Sequence, residues 1–121
     1  MSIQPSDFLE NAESMALSAG NDEVTQRNIL SRAYYACYHR AIEKIPVDHS
    51  SNARDTGMHR FYFDQLMEGS AGGIERKVGA RLRSMYGRRI LADYRLFENL
   101  STDSVALQLN SARLIFQILD H

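Results

Sequence analysis

The stretch NILSRAYYACYHRAIEKI, residues 28–45, decides the fold. Small and apolar residues recur in it every three or four positions, which is the spacing of one face of an α-helix. On a helical wheel, four of them fall within about 60° of Leu30: Tyr34, Cys37, Ala41 and Ile45. The pattern predicts a long helix that turns this face toward a hydrophobic core.

The opposite side of the same helix carries candidate functional residues. Arg32, Tyr35 and His39 fall on the side that faces away from the predicted core, and Arg32 and His39 are two turns, or about 10 Å, apart along the axis. Tyr35 and Ile42 add apolar surface there, so we expect this side to meet a second partner, most simply in a homodimer. The alternative is that Tyr35 and His39 only pack beneath a neighbouring short helix or loop.

The remaining segments also show helical periodicity, with no sustained alternation of the kind a half-buried strand needs. We predict a first helix from Pro5 to the break at Gly20, a second over residues 22–44, a short third over 58–68, a fourth over 74–94 and a last one capped by Ser101 or Thr102. Residues 46–57 are polar and are predicted to form a mobile loop. The expected fold is all-α: one domain, residues 1–121, built as an antiparallel up-and-down four-helix bundle with one additional short helix.

Composition narrows the class of protein. The 121 residues are 44% hydrophobic and 24% charged, which excludes a disordered or fibrous chain. The apolar runs are far shorter than the ~20 residues that cross a bilayer, and the start of the chain lacks a signal-peptide pattern. We therefore expect a cytoplasmic protein with no membrane segment. Cys37 is the single cysteine, so there is no internal disulfide or cysteine metal cluster, and no motif predicts a metal or another cofactor.

Half of the basic residues are concentrated in one segment. Residues 74–95 hold seven of the 14 Lys and Arg residues and only two acidic ones. Lys77, Arg81 and Arg88 recur along one flank of the predicted fourth helix, next to Arg89, and are expected to bind the RNA backbone. The alternative is a solvated helix face, which is what charge runs usually represent.

Three runs together resemble the HEPN superfamily, the higher eukaryote and prokaryote nucleotide-binding domains. They are SRAYYACYHRA from residue 31, TGMHRFYF from residue 56 and RRILADY from residue 88. The resemblance is to small stand-alone prokaryotic members and covers most of the chain. It implies a homodimeric helical bundle, often encoded with a nucleotidyltransferase-type antitoxin in a toxin-antitoxin or defence pair. Many such proteins are metal-independent ribonucleases with the active cleft at the dimer interface.

The sequence departs from that family at one important position. Ribonuclease members carry an arginine and a histidine separated by four to six residues, whereas here Arg88 is followed after four residues by Asp93 and then Tyr94. A carboxylate is ionised at neutral pH and does not replace the proton shuttle that an imidazole supplies. Asp93 is therefore predicted to form an ion pair with Arg88 or Arg89.

Arg32 and His39, with six residues between them, satisfy the family's spacing on a different helix. RNA cleavage without a metal needs proton transfer and a cation on the phosphate. We predict that His39 transfers protons, Arg32 binds phosphate and Tyr35 completes the catalytic set, while His59 is a packing or capping residue. The alternative function is a non-catalytic dimeric module that binds nucleotide or recruits a partner nucleotidyltransferase, with Tyr35 or Tyr94 available for modification.

Overall fold

A computed structural model describes residues 2–46, 57–69 and 73–120. Within these ranges the chain is all-helical and contains no strand. It forms five helices: α1 Pro5–Ser18, α2 Glu23–Lys44, α3 Met58–Met67, α4 Ile74–Tyr94 and α5 Ser104–Leu119. Most of the predicted mobile loop, residues 47–56, lies outside the described residues.

The helix boundaries follow local backbone chemistry. Pro5 occupies the first turn of α1, where its missing N–H costs nothing. Beside it, the backbone N–H of Gln4 donates to Asp7 Oδ2 at 2.8 Å, closing a capping box. After α1, Gly20 adopts φ 52°, a left-handed conformation that glycine tolerates and that reverses the chain toward α2.

The predicted cap of the last helix was wrong. Asp103, rather than Ser101 or Thr102, is the residue that precedes α5. The Ser101 hydroxyl instead donates to the Asp103 carboxylate. The hydrogen bond between Ser101 and Asp103 stabilises the turn before α5. Asp103 remains at the N-terminus of the helix, where its negative charge interacts favourably with the helix dipole.

Helix α2 is the centre of the fold, since it contacts α1, α4 and α5. The predicted core face is confirmed: Leu30, Tyr34, Cys37 and Ala41 are fully buried. The buried set on α2 is wider than this one stripe, because it also includes residues on its flanks: Ile29, Ala33, Ala36 and Tyr38. Alanines at these positions let neighbouring helices approach α2 from more than one side.

Helix α4 spans the predicted residues 74–94 and buries Val78, Leu82 and Met85. Ile74 belongs to the same stripe but stays 52% exposed at the first turn. Close approach between α3 and α4 depends on Gly79, since a Cβ there would lie 2.9 Å from Leu66 Cβ. Glycine at this position lets the two helices pack at short range.

Arg27 fixes the connection between α4 and α5. Its side chain is buried, and its guanidinium donates to four backbone carbonyls at 2.6–3.4 Å: those of Leu91, Ala92, Arg95 and Glu98. One buried arginine thereby bonds backbone carbonyls from the last turn of α4 and from the connection that follows it. In the described part of the chain, no helix is long and apolar enough to span a bilayer.

Candidate functional site

Arg32, Tyr35 and His39 line one surface groove of about 370 Å³ on the outward side of α2. Phe8 from α1 and the α2 residues Asn28 and Ser31 complete its lining. The three predicted catalytic side chains are therefore neighbours, as their helical spacing requires.

The cation and the imidazole of the groove are both open to solvent. Arg32 and His39 are exposed, and Arg32 makes no hydrogen bond or ion pair with any residue in the described ranges. The His39 ring is stacked on Tyr35 with ring centres 6.1 Å apart, and it meets Tyr38 edge-on at 5.6 Å. A groove that holds both a guanidinium with unused donors and an accessible imidazole is suited to binding an anion and exchanging a proton.

Arg89 supports Tyr35 from behind the groove. Its Nη2 donates to the Tyr35 hydroxyl oxygen, and its Cζ lies 5.0 Å from the centre of the Tyr35 ring. Burial alone would lower the pKa of Arg89, but Tyr35, Asp93 and Tyr94 raise the pKa above its ordinary value. Because the oxygen of Tyr35 accepts from Arg89, its own proton remains free to be donated elsewhere.

Asp93 ties this arginine to α2. Its Oδ2 lies 2.9 Å from Arg89 Nε, the ion pair expected from the four-residue spacing, although the Nε–H is not aimed at the oxygen. The same oxygen accepts a hydrogen bond from the Ser31 hydroxyl at 3.1 Å. Ser31 and Asp93 thus fix Arg89 in the position from which it contacts Tyr35.

His59 joins the site from α3. Burial, then the positive charges of Arg89 and His39, lower its pKa, so its imidazole is neutral at neutral pH. Burial also raises the pKa of Tyr34 above its ordinary value, so the Tyr34 hydroxyl stays protonated, and it shares a hydrogen bond of 2.6 Å with His59 Nδ1. The His59 ring lies 4.3 Å from that of Tyr38 and 6.2 Å from that of Tyr35, so His59 packs against Tyr35 without lining the groove.

The predicted basic flank of α4 does not form one continuous surface. Arg88 donates to the buried Gln108 on α5 at 3.0 Å, whereas Arg89 faces Tyr35 on α2. Lys77 is exposed beside an apolar depression formed with Ile74, Gln117 and Ile118, and Arg81 is half-buried. Two of the four predicted RNA-binding residues therefore use their guanidinium groups inside the protein.

The tyrosines of α2 are divided by burial. Tyr34 and Tyr38 are buried, so a nucleobase has no access to their ring faces. Tyr35 is half-buried at the groove. Tyr94, at the end of α4, is 67% exposed and lies 5.3 Å from the Arg89 guanidinium.

Sequence reasoning missed several residues of the site. Arg89 was grouped with the basic flank, and only the pairing of α4 with α2 reveals its contact with Tyr35. Phe8 and Asn28 were assigned no role. The four-residue Arg89–Asp93 spacing was the one usable signal, because it predicts that Arg89 is paired within the protein.

Within residues 2–46, 57–69 and 73–120, no cluster of three or more His, Cys, Asp or Glu side chains could hold a metal ion. Comparison of the chain with protein-family models, with curated proteins and with solved structures gave no match.

Proposed function

We propose that this protein is a HEPN-like RNA-binding protein that cleaves RNA without a metal, in the groove formed by Arg32, Tyr35 and His39. The observation that carries the proposal is the groove itself, where an unpaired guanidinium, an exposed imidazole and an arginine-supported phenol share one surface. The corresponding architecture is an antiparallel four-helix bundle with α3 as the extra helix. By the same resemblance, the biological setting is a cytoplasmic toxin paired with a nucleotidyltransferase-type antitoxin.

Arg32 binds the scissile phosphate. None of its five N–H donors bonds to a residue that the structure describes. A guanidinium can donate two parallel hydrogen bonds to the oxygens of one phosphate. Arg89 adds a second positive charge near the phosphate while its guanidinium stays bonded to Tyr35. The two cations stabilise the extra negative charge that develops on phosphorus in the transition state.

His39 and Tyr35 divide the proton transfers. The His39 imidazole removes the proton of the ribose 2′-hydroxyl, and the 2′-oxygen attacks the adjacent phosphorus. Tyr35 donates its proton to the departing 5′-oxygen, and Arg89 stabilises the phenolate that remains. The products are a 2′,3′-cyclic phosphate and a 5′-hydroxyl, and solvent returns the proton from His39 to Tyr35.

The phosphate contact is tested by an Arg32→Ala variant. We expect the affinity for a short single-stranded RNA to fall about tenfold, because a charge-assisted pair is lost, and the slope of log affinity against log salt to decrease by about 1. Fluorescence anisotropy at several salt concentrations measures both quantities.

The matched control is Arg83→Ala, which removes an exposed arginine that pairs with Asp64 away from the groove. This variant should bind RNA within about twofold of the wild type. Equal losses in the two variants would show that the groove has no special part in RNA binding.

We also propose that the chain forms a homodimer, with its interface at the connection between α4 and α5 rather than at the outward side of α2 expected from the sequence. Tyr94 and Leu96 are each 67% exposed and Phe97 is fully exposed, while Arg27 holds the backbone of this connection in place. A rigid apolar surface of this kind is typical of a protein interface. Tyr94 joins it to the groove, because both Tyr94 and Tyr35 contact Arg89.

A Phe97→Asp variant tests the dimer. We expect it to weaken self-association at least 100-fold, since an aromatic anchor is replaced by a charge. Light scattering during size-exclusion chromatography should then report a monomer. Leu17→Asp is the control, because Leu17 is 91% exposed on α1, and it should leave the dimer intact. A wild-type monomer, or a Phe97→Asp dimer, would contradict the interface.

The second candidate function is a non-catalytic module that binds nucleotide or a partner nucleotidyltransferase. It is favoured by the Arg89–Asp93 ion pair, since this carboxylate lies near the position where ribonuclease members of the HEPN superfamily carry a histidine. RNA binding by the wild type without cleavage in EDTA would support this second function over the first.

A further inference from the structure

A second groove adjoins the first. It has a volume of about 420 Å³ and is lined by Ile3, Asp7, Phe8, Asn11 and Arg32. Phe8 and Arg32 line both grooves. The two depressions therefore form one trough, with the guanidinium of Arg32 where they meet.

Helix α1 presents a fixed set of groups to this second groove. Phe8 and Asn11 are three residues apart and Asp7 and Asn11 four apart, which places all three on one side of the helix. The Gln4 N–H holds Asp7 Oδ2 at 2.8 Å and so orients the carboxylate. Neither Asn11 nor Asn28 forms a side-chain hydrogen bond with any residue that the structure describes.

The two halves of the trough differ in charge, so they favour different parts of a ligand. Arg32 attracts a phosphate at the junction, whereas the Asp7 carboxylate repels a phosphate from the second groove. That groove instead offers a half-buried aromatic ring with an amide and an oriented acceptor beside it. An uncharged, planar group with N–H donors and acceptors on its edge fits this set, and a nucleobase is such a group.

We propose that the second groove binds one unpaired nucleobase, which contacts Phe8 while its edge bonds Asp7 and Asn11, next to the phosphate on Arg32. A base in a duplex has its pairing edge occupied and its faces stacked, so the preferred substrate is single-stranded RNA. This proposal rests on the proposed function in one respect only, namely that the ligand is RNA. It assigns α1 a part in recognition that is separate from the chemistry at His39.

The test measures the binding of three kinds of fluorescently labelled RNA of about ten nucleotides by anisotropy: a single strand, a series of the same strand with one abasic nucleotide at each position in turn, and the duplex of the strand. Each is measured in EDTA with a 2′-deoxy backbone at the scissile positions, so that cleavage does not interfere. Asn11→Ala is compared with Ser14→Ala, a control at an exposed position on the same helix.

We expect the single strand to bind at least tenfold more tightly than the duplex, with a loss of about tenfold when the abasic position coincides with the groove. Asn11→Ala should weaken binding about fivefold for the intact strand and leave the affinity for that abasic strand unchanged. Ser14→Ala should match the wild type for every RNA.

Three outcomes separate this proposal from the proposed function. Equal affinity for all RNAs, together with cleavage, would overturn the nucleobase site and leave the ribonuclease in place. Base-dependent binding that Asn11→Ala reduces, without any cleavage of an all-ribose strand, would support the nucleobase site and contradict the ribonuclease. No binding of any RNA would overturn both.

Discussion

Replacement of His39 by alanine is expected to lower the rate of RNA cleavage by a factor of about 10² to 10⁴, the usual contribution of a positioned proton-transfer group. The imidazole is exposed and makes ring contacts only with its neighbours, so its removal should leave the fold intact. RNA affinity should change little, because Arg32 supplies the phosphate contact. The loss should therefore fall on kcat rather than on KM.

The measurement is single-turnover cleavage of a labelled RNA in EDTA, with thermal unfolding as a check on folding. Tyr35→Phe is the companion variant, since it keeps the aromatic ring that stacks on His39 but removes the proton donor. It should also slow cleavage. An unchanged rate in His39→Ala would remove His39 from the mechanism, and an unchanged rate in Tyr35→Phe would remove the phenol as proton donor.

Replacement of Arg27 by alanine is expected to lower the free energy of unfolding by about 3 kcal/mol. The variant loses four hydrogen bonds from a charged donor and leaves backbone carbonyls at the end of α4 without these partners. Urea unfolding followed by circular dichroism measures the change. Because the same bonds hold the connection that carries Phe97, self-association should weaken as well.

Arg83→Ala serves again as the control, since Arg83 is exposed and its ion pair with Asp64 is on the surface. Its free energy of unfolding should stay within about 0.5 kcal/mol of the wild type. A comparably small effect in Arg27→Ala would contradict the assignment of Arg27 as the group that fixes the α4–α5 connection.

The outward face of α2 was predictable from the sequence because its residues lie on a single helix. Arg32, Tyr35 and His39 are related by helical spacing alone, and regular geometry brings them to one side. The span of α4 was predictable for a similar reason, since an apolar stripe runs through it from one break in the chain to the next. Local periodicity suffices for such features.

Contacts between helices were not predictable in the same way. Arg27 stands four residues after Glu23 and looks like half of a surface ion pair, yet it is buried because the α4–α5 connection passes over it. Arg89 contacts Tyr35 and Phe8 lines the groove only because α4 and α1 pack against α2. These placements depend on the register between helices, which no spacing within one helix encodes.

The chemistry of the cut ends tests the central claim most directly. A purified preparation would be incubated in EDTA with an RNA oligonucleotide, and the ends of the fragments identified by mass spectrometry. Attack by the neighbouring 2′-oxygen predicts a 2′,3′-cyclic phosphate or its hydrolysis product on one fragment and a 5′-hydroxyl on the other, and a 2′-deoxy nucleotide at the cut position should block the reaction. Fragments with 5′-phosphate ends, or intact RNA after prolonged incubation, would contradict the assignment of the α2 groove as a metal-independent ribonuclease site.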